Sequence, residues 1–175
     1  PGAAARRRAQ VLVELGRVDG RLGRTAPALR WLARAEDAWG ARHPAIDRTR
    51  GDALLRVWRF PEALDAYRRA VSSVPRDPSL WRALARAAAS AGDDPAALAA
   101  ARRGLRGLPR DPDLLRTRAL SLAALGLPTA GAARRHWLRH RPPDTRDPLA
   151  WACADQDPAC RQARSPIPEL TLTLR

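Results

Sequence analysis

Arg48, Arg82 and Arg116 stand 34 residues apart, and Arg86 follows Arg82 by one helical turn. A guanidinium presents its donors as a planar fork that grips a carboxylate at two points, so arginines repeated at a fixed interval read as a row of sites for acidic groups. That reading needs a fold that stacks the interval. A second set of reactive types lies near the end of the chain. His136 and His140 are one helical turn apart, and Cys153 and Cys160 follow. Two His and two Cys are the ligands of a tetrahedral zinc site. The six residues between the cysteines exceed the usual two to four, however, and the arginines around the histidines repel a cation, so no metal is expected. The haem-attachment motif Cys-x-x-Cys-His is absent, and no other cofactor is implied.

A disulfide between Cys153 and Cys160 is the favoured pairing, with two free thiols as the alternative. Asp155-Gln156-Asp157-Pro158 is a turn that can bring the cysteines together, and closing so short a loop is worth about 2–3 kcal/mol of chain entropy. If bonded, the pair places the chain in an oxidising compartment, periplasm or cell exterior ahead of cytoplasm. Catalysis has less to stand on. There is no phosphate-cradling Gly loop, no Cys-His pair at a convincing spacing and no Ser in a nucleophile elbow. The expected class is therefore a non-enzyme.

The elements that must hold the arginines are marked by proline. Pro44, Pro78 and Pro112 repeat every 34 residues, and Pro75, Pro109 and Pro143 repeat in the same register. A period of that length signals stacked helix pairs. Asp77-Pro78 and Asp111-Pro112 each place a capping carboxylate before a helix-opening proline, which lacks an N–H that would go unpaired there. Pro61, Pro95 and Pro128 are expected to open the second helices in the same way, because inside a helix each would cost about 3 kcal/mol. Gly92 and Gly126 fall where a hairpin turn calls for a residue without a β-carbon.

Counted from Pro78 as first place, the unit has Trp81 fourth, Leu84 seventh, Ala85 eighth, Gly92 fifteenth, Ala97 twentieth and Pro109 thirty-second. This resembles the tetratricopeptide repeat. The unit from Pro44 carries the second half of that pattern in Phe60-Pro61-Glu62-Ala63-Leu64, Tyr67, Ala70 and Pro75. It departs in the first half, with Asp47 at the Trp place and Trp58 at the turn-Gly place. The unit from Pro112 keeps Leu115, Ala119, Leu122, Gly126 and Pro143, with Arg118 and Arg135 at places usually apolar. A first unit fits Leu12, Leu15-Gly16, Gly23, Ala28, Leu32 and Ala35, with one extra residue before Pro44. The likeness covers about residues 9–143.

The resemblance implies an all-α, right-handed superhelical solenoid of about four helix hairpins over residues 1–145. A capping half-repeat over 146–164 would begin at Asp147-Pro148 with Trp151 in the fourth place, and an extended tail would fill 165–175. Such a solenoid lines its inner face with the first helix of each repeat and usually binds extended peptides there, with the fifth and ninth places pointing inward. The fifth places are Arg48, Arg82 and Arg116; the ninth places add Arg86 and, in the first unit, Arg17. With helices about 8–10 Å apart, three rungs would span about 20 Å, or about six extended residues. The family's carboxylate-clamp subgroup pairs its basic residues with Asn, and this chain has none. In the tail, Leu170, Leu172 and Leu174 alternate with threonine. They fit either a disordered terminus or an edge strand added to a partner's sheet.

Composition fits the row of arginines. The formal net charge is +14, and all 32 basic residues are Arg. The absence of Lys, Asn and Met together reads as the codon bias of a GC-rich, bacterial-type genome. So positive a surface favours acidic partners. The first expectation is a scaffold that docks an acidic or extended segment of a protein partner within a larger complex. The alternatives are a nucleic-acid-binding repeat region and a structural subunit with no groove ligand. Nucleic acid calls for aromatic platforms, whereas five of the six Trp fall at packing places. The chain opens Pro-Gly-Ala-Ala-Ala without an initiator Met, as a processed protein or a piece of a longer one would, and shows no signal peptide. The longest uncharged stretch, residues 119–133, is too short and too broken by Pro128 to span a membrane.

Overall fold

Helix starts follow the capping chemistry of the chain. The computed structural model describes residues 2–143 and Thr145, which hold eight helices: α1 (Ala3–Arg21), α2 (Thr25–Trp39), α3 (Pro44–Arg56), α4 (Phe60–Ser73), α5 (Pro78–Ser90), α6 (Asp94–Leu105), α7 (Pro112–Ala124) and α8 (Ala130–His140). The carboxylate of Asp77 accepts from the Ser79 N–H at 2.8 Å, and that of Asp111 from the Leu114 N–H at 3.0 Å. Asp93 does the same for α6 through Ala96. Pro61 and Pro95 sit in the first turns of α4 and α6 as expected. Pro128 does not: it lies in a turn, and α8 begins two residues later at Ala130. The Ala130 N–H is drawn to the Leu127 carbonyl at 3.0 Å. That tight turn takes up the stretch where the helix was expected to start.

The helices pair as four hairpins stacked into an all-α repeat solenoid. First helices touch in series, α1 to α3 to α5 to α7, and α2, α4 and α6 each lean on the first helix of the next hairpin. Small residues permit this. The eighth places, Gly16, Gly51, Ala85 and Ala119, are all buried, and Ala supplies more than half of the buried apolar side chains among the described residues. Large side chains fill what remains. Tyr67 is fully buried against Gly51, and Trp81 is half-buried with its indole N–H donating to the Pro75 carbonyl at 2.8 Å. At the open end, α1 shows Val11, Leu15, Val18 and Leu22 to solvent. The corresponding Leu80, Leu84 and Ala87 of α5 are buried because a preceding hairpin covers them.

The two departures of the second unit have distinct physical solutions. Gly23, Trp58, Gly92 and Gly126 occupy equivalent turns with φ of +75°, +64°, +74° and +63°. Trp58 thus adopts the left-handed conformation usually left to glycine, at a cost of about 1–2 kcal/mol, while staying 77% exposed. Its ring meets Phe60 edge-on at 5.7 Å. Asp47, in place of the fourth-place Trp, is 2% exposed. Its burial is offset by charge: Arg50 reaches it at 3.3 Å and Arg69 at 3.1 Å, and Arg50 also binds Glu36 at 2.8 Å. An ionic knot therefore stands where the third unit packs Trp81 and Leu84.

The capping half-repeat, Cys153, Cys160 and the tail with Leu170, Leu172 and Leu174 lie outside the described residues. No helix among the described residues is long and apolar enough to cross a membrane.

Candidate functional site

Arg48, Arg82, Arg86 and Arg116 line one cavity of about 370 Å³, supplied by three successive first helices, α3, α5 and α7. The 34-residue interval thus does stack the fifth places. Arg17 is not in this cavity. It lines an adjoining one, of about 430 Å³, that shares Asp52 and Arg86 with the first, so the two are continuous along the first helices.

The rungs are held by the hairpins that follow them. Arg48 donates from Nη1 to the Ser79 hydroxyl at 3.4 Å, and Arg82 donates to Asp111 Oδ2 at 3.0 Å. Ser79 and Asp111 belong to the capped starts of α5 and α7, so Arg48 and Arg82 each reach the start of the next unit's first helix. Burial pushes the Asp77 carboxyl up, but hydrogen bonds from Ser79 and the charge of Arg48 together bring it below its ordinary value. Arg86 lies 3.4 Å from Asp52 one period earlier, and Asp52 also accepts from the Tyr67 hydroxyl at 2.5 Å. Burial, then the Asp52 charge, pushes the Tyr67 phenol well up. Arg17 pairs with Glu14 on its own helix. Arg116 is exposed and has no ion pair among the described residues.

Two carboxylates escaped the sequence reading. Asp52 and Asp113 line the cavity with the four arginines. Asp52 occupies the ninth place of its own unit, so counting that place through all units would have found it; Asp113 has no such signal. The resulting surface is cationic but not uniform, four guanidiniums against two carboxylates. It can bind acidic groups through forked hydrogen bonds, and its wall offers apolar contact through Ala83. Of the zinc-type residues, His136 and His140 are described, with ring centroids 4.8 Å apart and His140 Nδ1 at 2.9 Å from the His136 carbonyl. No cluster of three metal-ligand types occurs among the described residues.

No family model matches the chain, and no curated protein matches it. Solved structures do. MamA from MSR-1 superposes with a TM-score of 0.66 at 16% identity over 77% of this chain and 78% of that one. MamA from AMB-1 gives 0.65 at 16% identity over 76% and 78%. TTC0263, a thermophilic TPR protein in Thermus thermophilus, gives 0.62 at 24% identity over 82% and 80%. The fold is that of a tetratricopeptide-repeat solenoid.

Proposed function

We propose that the chain is a non-catalytic protein-interaction scaffold whose groove along α3, α5 and α7 docks an acidic, extended segment of a partner within a larger complex. One observation carries this reading: four arginines from three separate repeats line a single cavity. Their anchors support it further. Arg48 and Arg82 are pre-positioned by Ser79 and Asp111, so less side-chain freedom is lost when a carboxylate arrives. A groove of about six extended residues takes a short peptide in one register, with carboxylates opposite the rungs.

The test is fluorescence anisotropy with a labelled acidic peptide of about eight residues, repeated with Arg82→Glu and Arg86→Glu. Both variants should lose binding at least tenfold while far-ultraviolet circular dichroism stays unchanged. Undiminished binding would refute the groove. Preference for a single-stranded oligonucleotide over the peptide at matched salt, with a steep salt slope, would replace it with the nucleic-acid reading.

A further inference from the structure

Arg118 holds on α7 the seventh place that Arg50 holds on α3, two periods earlier. The two arginines meet opposite surroundings. Arg50 lies between the carboxylates of Glu36 and Asp47, at 2.8 and 3.3 Å. At Asp47's place beside Arg118 stands Leu115, fully buried, and α6 brings Arg102 instead of an acid. The Arg118 side chain is half-buried, and its Nε is sealed from solvent with no partner among the described residues. Buried donors are nearly always satisfied, so one that is not calls for an explanation. In the second unit the protein itself brings two carboxylates to the Arg50 Nη atoms; in the fourth no described carboxylate reaches Arg118.

Arg118 lines a cavity of about 330 Å³ together with Arg102 from α6, Thr129 just before α8, and Ala132 and His136 on α8. No described carboxylate lines it, in contrast to the groove, and the two sites share no residue. Thr129 precedes α8 without spending its hydroxyl on the helix. We propose that this cavity binds a phosphate-type dianion, free phosphate or a phosphomonoester, gripped by Arg102 and Arg118 with Thr129 and His136 completing the donor set.

The chemistry favours a dianion of that shape. A planar carboxylate is satisfied by one guanidinium fork, whereas donors converging from three helices match the several oxygens of a tetrahedral group. A phosphodiester brings one charge and two free oxygens, fewer than the site offers to meet. The cations are also under strain from one another. Burial and then the charge of Arg102 lower the proton affinity of Arg118. Burial, Arg118, His140 and Arg139 lower that of His136. A dianion held by Arg102 and Arg118 beside His136 offsets that field, so His136 takes up a proton as the ligand binds.

Isothermal titration of the full chain tests this, with inorganic phosphate in a phosphate-free buffer at constant ionic strength. Binding should fall at least tenfold in Arg102→Gln and in Arg118→Leu and be unchanged in Arg86→Gln. Arg118→Leu installs the residue type that Leu84 shows at the same place, so it should melt no lower than the parent, and its loss of binding is not loss of fold. Absence of phosphate binding, or parental affinity in both variants, overturns the proposal. A phosphoserine peptide that binds more tightly than inorganic phosphate and needs its phosphate points to a modified partner; equal affinity points to the free ion, and both results support the site. An oligonucleotide that binds through Arg102 and Arg118 while inorganic phosphate does not would overturn it.

Discussion

Gly51 presents its bare Cα to the ring of Tyr67, so that a β-carbon there would stand 2.9 Å from Cε1, Cε2 and Cζ. The ring cannot retreat, because Tyr67 is fully buried and its hydroxyl is bound to Asp52. Gly51→Ala gains about 1 kcal/mol of helix propensity and incurs about 1–3 kcal/mol of overpacking. Net destabilisation of about 1 kcal/mol is expected, read as a lower urea midpoint with an unchanged slope.

The ionic knot of α3 should be costlier to cut. Asp47→Ala leaves Arg50 and Arg69 facing a buried site without their shared carboxylate. Breaking a buried pair from one side costs about 3–5 kcal/mol, and the lower figure applies because both arginines are partly exposed. Replacing the pair together, with Asp47→Trp and Arg50→Leu, restores the pattern of Trp81 and Leu84. That double variant should recover most of the loss in thermal unfolding; one no more stable than Asp47→Ala would show that the knot has no apolar equivalent.

What the sequence made legible was whatever depends on local rules repeated. Helix starts at Pro44, Pro78 and Pro112 follow from capping and from the fixed φ of proline, and the period then places Arg48, Arg82 and Arg116 in one cavity. Illegible were features decided by contacts that the repeat pattern does not encode. Pro128 looks like Pro61 and Pro95, yet a turn closed by Ala130 and Leu127 delays α8. Asp47 reads as a defect until Arg69, from another helix, is found beside it. Asp113 enters the groove only through the stacking of α7 on α5.

Trp58 offers a clean measure of backbone strain. In helices Ala is more stabilising than Gly, but at φ +64° the order should invert. Both Trp58→Gly and Trp58→Ala lose the edge-on contact with Phe60, so their difference isolates the left-handed conformation. Trp58→Gly should be the more stable by about 1 kcal/mol. Equal stabilities by chemical denaturation would show that the turn relaxes.

Stability should decline on mild acidification. Burial lowers the proton affinity of His43, and burial with Arg118, His140 and Arg139 lowers that of His136. Their folded values thus lie below the ordinary value of about 6.5. As pH falls from about 7 the unfolded chain takes up protons first, so stability is lost until the folded values are passed. His43 Nδ1 also accepts from the Ala45 N–H at the start of α3, a bond its protonation removes. In a phosphate-free buffer the melting temperature should drop between about pH 7 and 5, and the double variant His43→Asn, His136→Gln should flatten the drop, because Asn still caps α3.

The carboxylates in the groove set how tightly an acidic ligand can be held. Asp113 is exposed and lines the same cavity as Arg82 and Arg116, where it repels an incoming carboxylate without anchoring a rung. Asp52 differs, because it holds both Arg86 and the Tyr67 hydroxyl. Asp113→Asn should therefore tighten the acidic peptide by about 1.4- to fivefold, the reach of one exposed charge worth about 0.2–1 kcal/mol. Asp52→Asn should instead lower stability along with any change in affinity, since its remaining acceptor is a weaker partner for a buried phenol. The Asp113→Asn gain should vanish near 1 M salt, where interactions between exposed charges reach only about 3 Å. A gain that survives such salt would mean that Asp113 acts through the shape of the groove and not through its charge.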